Sequence, residues 1–204
     1  MPETTSQPTT DDVRTRIIKT ADELFYSRGI QAVGMDEIRT VAEVSLKRLY
    51  AEFPGKDKLI VAVLGERHTI WEHGITLAVD AATTPRDKLL AMYDFLESWF
   101  SDTGFRGCGF INAFGELGAT SSAVSAAAKQ HKQSFQESVI PLAADVVPNT
   151  ALAHELAAQL ALLAEGAQTT AAIAGTPKAA IHARRAAATL IDATIAQNRR
   201  NDTF

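Results

Sequence analysis

The chain has 204 residues, 46% of them hydrophobic, and a formal net charge of −4. That is enough apolar material for one or two packed domains. The negative balance excludes a uniformly basic nucleic-acid binder and leaves room only for a local basic face.

Cys108 is the only cysteine, so no internal disulfide is possible, which suits a reducing cytoplasm. The start, MPETTSQPTTDD, lacks the basic and apolar segments of a signal peptide. No apolar run approaches the roughly 18 residues of a membrane span, so no membrane partner is expected. Apolar residues recur at helical spacing almost throughout, and strand-period alternation is scarce. An all-α fold of about nine helices follows.

Residues 1–10 are rich in Pro, Thr and Ser and are expected to form a disordered arm. The first helix is expected from about Asp12 to Arg28. Val13, Ile17, Ile18, Ala21, Leu24 and Phe25 follow the 3.6-residue period, and Gly29 stands where a left-handed cap belongs. Next comes GMDEIRTVAEVSLKRLYAEF, Gly34 to Phe53. It reads as two short helices with a tight turn between them. Ser45 can cap the second. Ser45, Leu49 and Phe53 share one side of that helix; Lys47 and Ala51 point the opposite way, flanked by Arg48 and Tyr50. One side packs, and the other offers two cations and a phenol, the chemistry that a helix in a major groove needs. The first 58 residues carry nine basic and ten acidic residues. A basic face would therefore be local: Lys47, Arg48 and Lys56, helped by Arg14 or Arg39. Pro54-Gly55 ends this segment. Lys56 then opens a long helix to about Val79, at a positively polarised start where amides can hold phosphate.

The helix RTRIIKTADELFYSRG, the pattern MDEI followed by VSLKRLYAEF, and then PGKDKLIVAVL resemble the N-terminal domain of the TetR family of transcriptional repressors. The resemblance spans Asp12 to Leu64. It implies a helix-turn-helix domain over 11–56, followed by a larger ligand-binding and dimerisation domain over 57–204. It also implies DNA contacts from Ser45, Leu46, Lys47, Arg48, Tyr50 and Lys56. Three residues depart from the family's pattern. Gly34 stands where Ser or Thr is usual, Glu43 where a turn glycine is usual, and Leu46 at a usually polar, DNA-facing position.

Further helices are expected from Thr84-Pro85 to about Asp102, Ser122 to Asp145 with a bend at Pro141, Ala151 to Ala174, and Lys178 to Gln197. The string Gly104-Phe-Arg-Gly-Cys-Gly-Phe-Ile-Asn-Ala-Phe-Gly-Glu-Leu resembles the loop and sixth helix of many family members. The last two helices are dominated by Ala with Leu and Ile. A helix apolar all round must be buried, and two side by side point to a second copy. The family's four-helix dimer interface implies the same. Leu156, Leu160, Leu163, Ile191 and Ile195 are the expected interface residues of a homodimer.

No catalytic constellation is present. The histidines, His68, His73, His131, His154 and His182, form no HExxH and no zinc-ligand spacing with Cys108. There is no GxSxG, and Gly104, Gly107 and Gly109 do not make GxGxxG. No enzyme activity, cofactor or metal is expected. What remains is a pocket for a small molecule, with mainly apolar walls and sparse polar groups. Its candidate walls are Trp71, Met92, Phe95, Trp99, Phe110, Phe114 and Phe135. Its candidate polar groups are His68, Asn112, Glu116, His131 and Gln168. Glu116, an acid on an otherwise apolar helix, would favour a cationic aromatic ligand; the walls alone favour an apolar one.

The expected protein is thus a cytoplasmic, dimeric repressor that binds a palindromic double-stranded DNA operator and is released by a small molecule. The rival is a helical sensor or interaction protein whose DNA face has degenerated at Gly34, Glu43 and Leu46. A helical enzyme is a third reading, disfavoured by the missing constellation.

Overall fold

A computed structural model describes residues 10–201 of the chain. The arm expected over 1–10 lies, but for Thr10, outside the described residues. Nine α-helices and no strand are found among the described residues: α1 (Thr10–Arg28), α2 (Met35–Val41), α3 (Leu46–Glu52), α4 (Lys56–Ala81), α5 (Pro85–Phe100), α6 (Gly109–Leu117), α7 (Ser122–Ala144), α8 (Thr150–Ala174) and α9 (Lys178–Asn201). The all-α expectation holds, and the helices begin and end within a few residues of their expected bounds.

Local chemistry sets many of these bounds. Gly29 has φ +89° and its N–H donates to the Phe25 carbonyl at 2.9 Å, ending α1 in the left-handed conformation that glycine adopts without a Cβ clash. Thr84 caps α5 by accepting from the Asp87 N–H at 3.1 Å, with Pro85 behind it at the first helical position. Asn149 caps α8 through the Leu152 N–H at 3.1 Å, and Gly175 at φ +63° closes it.

The chain divides into two compact units. One comprises the chain up to Arg67 with Gly109–Ala128; the other comprises His68–Cys108 with the chain from Lys129 onward. This differs from the linear division at 56/57: the first unit keeps the start of α4 and takes back α6 and the start of α7. Its core is built from Ile17, Ala21, Val33, Ile38, Leu49, Phe53, Leu59 and Ile60, each at most 1% exposed.

In the second unit α5, α8 and α9 pack together. Ala153, Ala157, Ala161 and Ala164 of α8 and Ala180, Ala183 and Ala187 of α9 are buried; such small side chains let two helix backbones approach. Tyr93 is fully buried and donates its hydroxyl to the Leu160 carbonyl at 2.7 Å. Burial pushes its phenol pKa up. Arg86 and Asp192 clamp α5 to α9 with two hydrogen bonds of 2.7 and 2.9 Å.

Candidate functional site

The helix-turn-helix is built by two different endings. α2 starts at Gly34, which has an extended backbone and no side-chain cap. It ends in a Schellman closure: the Glu43 N–H donates to the Thr40 carbonyl at 3.2 Å and the Val44 N–H to the Arg39 carbonyl at 3.0 Å. Glu43 takes the left-handed position at φ +53°. The turn therefore keeps glycine geometry with a side chain in place, at a cost of roughly 1–2 kcal/mol. Ser45 then caps α3, accepting from the Arg48 N–H at 3.1 Å.

Leu49 and Phe53 are buried, which fixes how α3 faces. Leu46 and Tyr50, 44% and 46% exposed, lie one turn apart on the outer side, with Lys47 and Ala51 exposed beside them. The cations expected on this face have divided their work. Arg48 pairs with Glu52 at 2.9 Å, and Arg14 donates to the Glu52 carbonyl at 3.3 Å while covering the Phe53 ring at 4.4 Å. Arg39 pairs with Asp36 at 2.8 Å. Lys47 has no ion pair among the described residues. Glu52 was missed in the sequence, although its i,i+4 spacing from Arg48 is a readable signal.

Lys56 also makes a structural contact: its ammonium donates to the Ile30 carbonyl at 2.6 Å, holding the turn after α1. Burial pulls its pKa down against the opposing influence of Glu116 and Asp57. Glu116 is held by backbone groups of the same unit. Its carboxylate accepts from the Ile30 N–H at 3.0 Å and the Gln31 N–H at 2.9 Å, and its carbonyl accepts from Gln31 Nε2 at 2.8 Å. A Cβ at Gly29 would lie 3.4 Å from that carboxylate. α6 is thereby fastened to the turn between α1 and α2. Asn112 and Glu116 also line a cavity of about 30 Å³ near Tyr26 and Arg67, room for about one water. Phe114 is largely exposed, and Phe110 is buried.

In the second unit, Trp71 stands at the centre of an aromatic cluster. Its ring centroid is 5.6 Å from Phe95, 5.6 Å from Trp99, 5.8 Å from His131 and 5.2 Å from Phe135. His68, Trp71, Glu72, Ile75, Ser134 and Phe135 line much of a cavity of about 190 Å³. The Nδ1 atoms of His68 and His131 are 3.0 Å apart, and His68 Nε2 is 3.2 Å from Glu72 Oε1. With both rings neutral, His68 donates from Nε2 to Glu72 and His131 donates from Nδ1 to His68. Burial, aided by Lys132 and His68, pulls the His131 pKa down to about 3 and keeps it neutral. Of the expected pocket residues, the structure therefore unites His68, Trp71, His131 and Phe135, with Phe95 and Trp99 behind Trp71. Met92 is core, and Gln168 is buried with Nε2 on the Ala164 carbonyl at 3.4 Å.

Two family models match in chain order: "Bacterial regulatory proteins, tetR family" over residues 17–63, and "Tetracyclin repressor-like, C-terminal domain" over residues 85–187. The chain belongs to the TetR family of DNA-binding transcriptional regulators. It is 36% identical over 91 residues to the HTH-type transcriptional activator FasR of Mycolicibacterium smegmatis, a match covering 43% of this chain and 42% of FasR. The match thus spans about two-fifths of that curated relative. A TetR-family transcriptional regulator from Streptomyces coelicolor is 27% identical, with a TM-score of 0.78 over 91% of this chain and 95% of that one. A TetR transcriptional regulator from Chloroflexus aurantiacus, 19% identical, shares the fold with a TM-score of 0.76 over 90% and 96% of the two chains. The family and its structural neighbours are regulators, not enzymes.

In this TetR-family chain the expected dimer residues also divide. Leu156, Leu160 and Ile191 are at most 1% exposed within a single chain, so a partner cannot reach them. Leu163 and Ile195 are half-buried. The large apolar side chains that α8 presents outward are Leu162 and Ile173, 71% and 84% exposed. Gly166 and Thr169 lie between them on the same side, also exposed. Among the described residues, no helix is long and apolar enough to cross a membrane, and no cluster of His, Cys, Asp or Glu could hold a metal.

Proposed function

We propose that this TetR-family protein is a dimeric repressor that reads a palindromic operator with the outer side of α3 and is released by a small molecule bound beside Trp71. The observation that carries the reading is the orientation of α3. Leu49 and Phe53 are committed to the core, leaving Leu46, Lys47, Tyr50 and Ala51 outward and unobstructed. In a symmetric dimer, two such helices would meet half-sites about 34–36 Å apart or a multiple of that.

The dimer is formed by the stripe of Leu162, Gly166, Thr169 and Ile173 on α8. The ligand is small and mainly apolar, with a hydrogen-bonding group for His68 or Glu72. Glu116, bonded to Ile30 and Gln31, no longer argues for a cationic one. Release requires the ligand to prefer the conformation that mis-spaces the two α3 helices; moving the balance from 1:99 to 99:1 takes about 5.5 kcal/mol of preference. The likeness to FasR, an activator, favours a second reading in which binding raises transcription.

Selection of bound sequences from random duplex DNA tests the reading. A palindrome should be enriched, and ligands should be found that change tryptophan emission and operator affinity together. A reporter driven from the selected operator then gives the sign: expression rising on deletion of the protein means repression, falling means activation. Failure to enrich any sequence would favour a helical sensor without DNA function.

A further inference from the structure

Val41, Leu46 and Tyr50 are 55%, 44% and 46% exposed, and all three belong to the helix-turn-helix: Val41 closes α2, Leu46 opens α3, and Tyr50 lies one turn beyond Leu46. The outward side of α3 carries no Asn or Gln. Its arginine, Arg48, is held by Glu52 at 2.9 Å. Groups that read bases by paired hydrogen bonds are therefore scarce on this helix. Lys47 and the Tyr50 hydroxyl remain, and both suit phosphate as well as base edges. The largest apolar group presented by the first turn is the isobutyl side chain of Leu46. In the major groove the partner for an apolar side chain is the C5-methyl of thymine, which no other base carries.

Building on the DNA-binding reading above, we infer that Leu46 is a specificity-determining residue that selects thymine in each operator half-site by apolar contact with its methyl group. Exposed leucine is unfavourable in the free protein, and covering it with a methyl removes apolar surface from water on both sides. One methyl is comparable to one CH₂ group, so its loss should weaken binding about four-fold per half-site and about 15-fold when both half-sites change.

Thymine and deoxyuridine pair identically and differ only in that methyl, so the exchange isolates the contact. The full chain is used to select its preferred duplex, and each symmetry-related pair of thymines is replaced in turn by deoxyuridine. One pair should show a loss of about 15-fold. In Leu46→Ser and Leu46→Ala the same exchange should cost less than two-fold, while both variants keep the parent's helical circular dichroism. A selected half-site without thymine, a parent indifferent to every exchange, or an undiminished penalty in both variants overturns the inference while leaving DNA binding standing. Failure to enrich any duplex overturns both.

Discussion

Each unit has its own apolar core, and the two differ in the polar contacts that supplement it internally. In the first, polar bonds tie distant segments: Glu116 to Ile30 and Gln31, Lys56 to the Ile30 carbonyl, Ser121 Oγ to Asp57 at 3.1 Å, and Arg67 to Asp22. In the second, a core of leucines, alanines and aromatics carries the packing, and ion pairs such as Arg86–Asp192 and Arg184–Asp94 lie at the surface. Hydrogen bonds are short-ranged and fail when one acceptor is lost, whereas apolar packing fails when volume is lost. The first unit should therefore be sensitive to the removal of single polar atoms, and the second to the removal of methylenes.

The largest expected effect is in the second unit. Leu160→Ala, at a fully buried position, should cost about 2–5 kcal/mol in denaturant unfolding. A loss below 1 kcal/mol would mean that this core is loosely packed. In the first unit Glu116→Ala deletes the acceptor of two backbone N–H groups and should cost about 1–3 kcal/mol. Hydrogen exchange should quicken at the Ile30 and Gln31 amides first, and protection unchanged there would break the comparison.

His131 is a polar weakness of the second unit. Its folded pKa of about 3 lies below the ordinary histidine value. The unfolded chain therefore binds more protons between the two values. Stability is full above pH 6.5 and falls as the pH drops from there toward 3. Between pH 7.5 and 5 the loss should be at most about 2 kcal/mol, and His131→Leu should flatten that part of the curve. The smallest effect sharpens the account of the first unit. Gly34→Ser supplies the missing cap of α2 with open space at the new Cβ. It should raise the melting temperature through a gain of about a few tenths of a kcal/mol. A fall would mean that the hydroxyl finds no amide.

These differences also explain what could be read in advance. The helix-turn-helix was legible because its signals are local: Ser45 caps three residues ahead, Leu49 and Phe53 share a side, and Gly29 stops α1. Glu116 was not legible, because its partners are 85 and 86 residues away and nothing in GFINAFGEL announces them. The Ala-rich helices failed differently. Leu160 and Leu162 are two residues apart, about 200° around the helix, and one is core while the other is outward. When a helix is apolar on every side, periodicity says that it is covered but not by what. For the same reason the apolar side chains between Trp71 and Phe135 pointed to a pocket without saying that Met92 is core while Phe135 borders a cavity.

The central claim, that the outer side of α3 is the DNA-reading surface, is tested most directly by the salt dependence of operator binding in Lys47→Ala. Lys47 is exposed with no ion pair among the described residues, so its removal should leave the fold intact. In a dimer two phosphate contacts disappear. The slope of log affinity against log salt should become shallower by about two, with weaker binding at low salt. A slope and an affinity both equal to the parent's would contradict the account and place the DNA contact elsewhere on the chain.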